Sequence, residues 1–147
     1  LVLWESNAIV RYLSEKYATG SLWPVDRHVR ADADRWMDWQ QTTFIAALGP
    51  AFLHLYRLPV EKRDESVIAA SVAKVNEVSK VIESWLETRA YVAGEQFTMG
   101  DIPIACSIHR WLNMPMIQRE DRPAIQRYYK RIMSRPAAQA SLTLPVS

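Results

Sequence analysis

Tyr91-Val92-Ala93-Gly94-Glu95-Gln96-Phe97-Thr98-Met99-Gly100-Asp101-Ile102 is the stretch whose reading decides the fold. Thr98 and Asp101 have the spacing of a capping box, with Asp in place of the usual Glu or Gln, and Phe97 and Ile102 stand where a hydrophobic staple would close over the helix start. The apolar run Ile102-Pro103-Ile104-Ala105-Cys106-Ser107-Ile108 then reads as a buried helix that tolerates Pro103 in its first turn. This is a folding device rather than chemistry. Replacing Thr98 or Asp101 with Ala is expected to cost about 0.5–2 kcal/mol, as for other helix caps.

The rest of the chain is helical on both sides of this signal. Upstream, Ile68, Val72, Val75, Ser79, Ile82 and Leu86 recur at alternating steps of four and three, predicting a long helix from about Glu61 to Thr88. Before it, Asp26 is positioned to cap a second long helix carrying Val29, Ala33, Trp36, Met37, Gln40, Phe44, Ala47 and Leu48. Gly49-Pro50 is expected to kink or break that helix, with a further helical piece over 51–56. The two long helices read as an antiparallel pair. Downstream, Asp121 is expected to cap a helix through Ile125, Tyr128, Tyr129 and Ile132, and Pro136 opens a short final one.

The first line differs. Leu1-Val2-Leu3 reads as a short strand that breaks into an amphipathic helix near 7–17, with Ile9, Tyr12 and Leu13 on its face. Ser6 is placed as its N-cap, and the free N–H groups of a helix start attract a carboxylate. Glu5 beside it suits an ammonium group. By itself the pair also reads as an ordinary cap next to a solvated acid. Gly20 and Pro24 mark a linker, dividing residues 1–20 from an all-helical domain over 21–147.

Composition bounds the function. The chain has 147 residues, 49% hydrophobic and 23% charged, with a net charge of +2, too small to argue for nucleic acid or a membrane partner. A single cysteine cannot form an internal disulfide, which fits a reducing cytoplasm. His28, His54 and His109 are scattered without metal-ligand spacing, so no metal is expected. Cys106, in an apolar helix, reads as a small buried hydrophobe.

Glu5-Ser6-Asn7-Ala8-Ile9-Val10-Arg11-Tyr12-Leu13 resembles the turn after the last strand of the thioredoxin-like domain in cytosolic glutathione transferases of bacterial type, and Phe97 to Ile102 is similar to the start of that family's central buried helix. The resemblance covers essentially the whole chain and implies an all-α C-terminal bundle behind a remnant strand and helix. It implies that Glu5 and Ser6 hold the γ-glutamyl end of glutathione, with Asn7 only a neighbour. It also implies an electrophile pocket lined by Trp39, Thr43, Trp111 and Met114, and a thiol-activating residue lying before Leu1. Conjugation of glutathione to an electrophile is the reaction implied. A homodimer is implied as well, in which Arg11 faces Asp32, Asp34 and Asp38 of a second copy. A non-catalytic binding protein on the same fold, or a glutathione-dependent disulfide reductase, dehalogenase or isomerase, stays open beside it.

Overall fold

A computed structural model describes residues 1–115 and 117–143. Helices α1 (Ser6–Ala18), α2 (Arg27–Trp39), α3 (Ile45–Phe52), α4 (Glu65–Leu86), α5 (Asp101–Asn113), α6 (Pro123–Met133) and α7 (Pro136–Ser141) follow one another, with π-helical turns at Gln40–Phe44 and Leu53–Arg57. Residues 1–4 take no regular structure, because a strand needs a partner to share its hydrogen bonds and no strand runs beside them among the described residues.

α5 is the axis of the bundle. Ile104, Ala105, Ile108 and Trp111 are buried in the main core with Trp36, Phe44 and Leu48 from the α2–α3 rod, Val75 and Ile82 from α4, and Ile125 and Tyr128 from α6. α3 packs along α4 as the expected pair. A smaller core of Ala33, Met37, Ala93 and Met99 takes in Val10 from α1 and Trp23 from the following turn.

The helix ends show how local and distant partners share the capping. Asp26 accepts from the backbone N–H of His28 (2.7 Å) and Val29 (3.2 Å), as expected, and these bonds lower its pKa. Asp64 caps α4 in the same way, so the helix starts later than the apolar pattern suggests. Asp121 does not cap α6. The carboxylate of Glu83, on α4, accepts from the N–H groups of Ala124 (2.8 Å) and Ile125 (2.9 Å), satisfying the orphan donors of a helix far along the chain.

Gly49-Pro50 does not break the rod: the backbone stays helical through both residues. The hydroxyl of buried Ser71 donates to Ala47 O (2.5 Å) and accepts from Ala51 N–H (3.1 Å). It thus bridges the two groups that the proline turn would otherwise loosen. This explains why Ser71 is buried at a place where the apolar pattern suggests Val72.

Asp101 is fully buried and does more than close a capping box. Its carboxylate accepts from the N–H of Thr98 (2.8 Å) and Val92 (2.9 Å), the hydroxyl of Thr98 (3.3 Å) and the phenol of Tyr128 (3.2 Å). The Thr98 hydroxyl donates to the carboxylate rather than accepting from the helix. Gly100, next to it, is held by close packing: a Cβ there would meet Ala33 O at 2.7 Å, so the crossing of α2 and α5 leaves no room for a side chain. Phe97 and Ile102 both line one cavity beside the helix start.

Burial pushes the Asp101 pKa up from 3.8 to about 6, against the pull of its hydrogen bonds. The folded chain therefore holds this proton more tightly than the unfolded chain does. Its stabilising contribution is full below the unfolded value and declines as pH rises toward the folded value. Relative to Asp101→Asn, the stability advantage of the wild type should be widest below pH 3.8 and narrow by about 2 kcal/mol between pH 4 and pH 7. Urea unfolding at both pH values checks this, and an advantage that widens with pH would show that the hydrogen bonds outweigh desolvation. Separately, Glu83→Ala should lower stability by about 1–2 kcal/mol by uncapping α6. Thermal unfolding reads the loss, which Asp121→Ala should not reproduce.

Candidate functional site

The turn into α1 brings together what an anionic ligand needs. Glu5 has φ 71° and ψ 115°, the one described non-glycine residue at positive φ. An L side chain held there is strained by about 1–3 kcal/mol, and strain of this kind collects at ligand clamps. Glu5 O accepts the first helical bond, from Ile9 N–H at 3.0 Å. Glu5, not Ser6, is therefore the N-cap residue. Ser6 is the first helical residue, and no side chain caps the helix. The expected role of Ser6 as N-cap is corrected. Among the described residues, the N–H groups of Ser6, Asn7 and Ala8 and the hydroxyl of exposed Ser6 make no hydrogen bond.

Asn7 is more than a neighbour. It is buried, and its amide donates to Met37 O at 2.9 Å, with weaker bonds to the side-chain oxygens of Gln41 (3.3 Å) and Gln40 (3.5 Å). Gln41 in turn donates to the Glu5 carboxylate at 3.4 Å, and Gln40 donates to Ser107 Oγ on α5 at 2.7 Å. Both glutamines come from the π-helical turn at Gln40–Phe44, whose wider winding lets consecutive side chains reach toward one amide. Nothing in the apolar periodicity signals that turn.

Arg11 fixes α1 to α2 through Asp34 (2.6 Å) and Asp38 (2.6 Å), and Asp32 pairs with Arg35 (3.0 Å). These charges pair within the chain, so Arg11 ties α1 to the acidic run of its own α2. Ile9, Tyr12 and Leu13 are exposed, while Asn7 and Ser14 are the buried residues of α1. The helix therefore presents its polar face to the bundle and its apolar face outward.

The four positions expected to line a second pocket, Trp39, Thr43, Trp111 and Met114, separate into two kinds. Trp111 and Met114 are wholly buried in the main core, where Trp111 meets Phe44 edge-on at 6.1 Å, and they offer no surface to a ligand. Trp39 and Thr43 are half-buried, with Trp39 edge-on to Trp36 at 5.0 Å. Cys106 is exposed rather than buried. It sits in a crevice whose apolar walls push its thiol pKa up. No group of His, Cys, Asp and Glu among the described residues is arranged to hold a metal, and no described helix is long and apolar enough to cross a membrane.

Residues 37–136 match the family model of the glutathione S-transferase C-terminal domain. The chain is 37% identical over all its length to glutathione S-transferase GstB of Escherichia coli K12, covering 70% of that protein. It is 31% identical to the disulfide-bond oxidoreductase YfcG of the same organism, over 97% of the chain and 64% of that protein. Among solved structures, the theta class glutathione S-transferase of Xanthomonas axonopodis pv. citri with glutathione bound superposes with a TM-score of 0.90 at 41% identity, over 97% of this chain and 76% of that one. By its buried central helix, its matched C-terminal domain and its identity to these relatives, the chain belongs to the glutathione S-transferase family.

Proposed function

We propose that this protein binds glutathione at the Glu5–Ser6 turn and transfers its thiolate to a small electrophile. The observation that carries the reading is the strained backbone of Glu5 over an uncapped helix start. The glutathione α-carboxylate accepts from the Ser6 hydroxyl and the first open N–H groups, where the helix dipole adds to the attraction. The ammonium group pairs with the Glu5 carboxylate, which Gln41 steadies. Asn7 and Arg11 hold the turn at a set height over α2. The turn thus grips and orients the peptide, and lowering the thiol pKa falls to residues other than these two.

Residues 1–20 belong, on this reading, to a thioredoxin-like glutathione-binding domain, and 21–147 to the helical domain. The exposed Leu3, Trp4, Ile9, Tyr12, Leu13 and Tyr17 support it, being a larger apolar face than an isolated helix surface leaves to water. Half-buried Trp39 and Thr43 remain the side chains assigned to the electrophile, and the protein works as a cytoplasmic homodimer. Glutathione-dependent disulfide reduction is the second reading, favoured by the similarity to YfcG. Assays with an electrophilic carbon and with a disulfide substrate separate the two.

Ser6→Ala should weaken glutathione binding at least about tenfold by calorimetric titration, equivalent to about 1.4 kcal/mol. The melting temperature should hardly move, because Ser6 makes no capping bond. Unchanged affinity with a lowered melting temperature would reduce the turn to a helix start.

A further inference from the structure

Among the described residues, the indole N–H groups of Trp36 and Trp111 are buried without a hydrogen-bond acceptor. A buried donor left unmatched is costly, and a phenylalanine would fill the same space without one. The two indoles share a second feature. Trp36 meets the Trp39 ring at 5.0 Å between centroids with the planes 74° apart, and Trp111 meets the Phe44 ring at 6.1 Å and 88°. Both are edge-to-face contacts, in which the positive edge of one ring lies on the negative face of the other. The N–H bond is the most positive part of an indole edge, so an N–H···π contact accounts for both donors at once. Trp36 also approaches Trp85, at 5.6 Å and a tilt of 50°. That ring already has the Arg89 and Arg35 guanidiniums over it, 3.6 and 4.5 Å from its centroid. Its electrons are drawn to two cations, which leaves the Trp39 face as the better acceptor.

We propose that Trp36 is a positioning residue for the electrophile: its indole N–H donates to the face of Trp39 and holds that ring at a fixed tilt. Trp36, Phe44 and Trp111 are buried, so half-buried Trp39 is the ring of this run that a ligand can meet. Trp111 makes the same bond to Phe44, but deep in the core, where it serves packing alone. The role of Trp36 rests on the assignment of Trp39 to the electrophile.

The indole N–H resonances of the protein test the bond by NMR, assigned through Trp36→Phe and Trp111→Phe, whose circular dichroism should stay native. Both N–H protons should lie upfield of that of exposed Trp4, shifted by the ring beneath, and should exchange slowly without cross-relaxation to water. An ordinary shift at Trp36, or a cross-peak to water, would hand the donor to a buried water and overturn the proposal. In conjugation assays, Trp36→Phe should raise the KM for the electrophile about three- to tenfold and leave the KM for glutathione unchanged. Trp111→Phe should change neither, because its partner ring lies out of a ligand's reach. An electrophile KM in Trp36→Phe equal to the wild-type value, or an equal rise in Trp111→Phe, would refute the positioning role. A wild type that conjugates no electrophile would instead remove the reading on which the role rests, and the resonances would still decide the bond.

Discussion

The buried carboxylate of Asp101 is the interaction on which the rest of the bundle depends. Four donors converge on it from the loop after α4, the turn before α5 and the middle of α6. Each donor lies in a segment that would otherwise carry an unsatisfied polar group in an apolar interior. Gly100 beside it lets α2 and α5 touch backbone to backbone. One carboxylate and one missing side chain therefore fix both the start of the central helix and the distance at which the long rod crosses it. Tyr128 shows the other side of the arrangement: burial and the Asp101 charge push its pKa well up, so it stays a donor throughout the physiological range.

The candidate glutathione turn is built on opposite lines. Its backbone is strained, its helix start is uncapped and its side chains face solvent. Strain persists only where surroundings overdetermine it. Here they do so through the buried Asn7 amide, the Arg11 pair to Asp34 and Asp38, and the small core that Val10 enters. A rigid bundle thus supports a turn that keeps its hydrogen-bonding capacity for something else. The π-helical turn that supplies Gln40 and Gln41 serves the same end, trading regular winding for two amides aimed at the junction.

Charges in this chain are placed by the fold more than by their neighbours in sequence. Glu83 caps a helix that begins some forty residues later, and Arg122, buried, bonds Ser79 Oγ and Asn76 O while pairing with Glu120. Arg11 reaches acids on the next helix. Apart from Arg122–Glu120, two residues apart, none of these pairings follows from local spacing, because each joins surfaces brought together only when α4 packs against α6 or α1 against α2.

By itself the sequence determined the helical periods, the Asp26 cap, the start of the central helix at Thr98–Asp101 and the family to which the turn at Glu5–Ser6 points, since these are features of contiguous residues whose backbone groups must be satisfied nearby. The tertiary structure alone decided the rest. It placed Trp111 and Met114 in the core while Cys106, on the same helix, faces a crevice, because helix phase orders side chains around an axis without saying which sector meets a neighbour. It turned the apolar side of α1 outward, and it made Glu5 rather than Ser6 the cap. It also kept the rod helical through Pro50, with the hydroxyl of Ser71 from the packed partner bridging the turn. In each case the deciding atom lies on a different element, and packing is what delivers it.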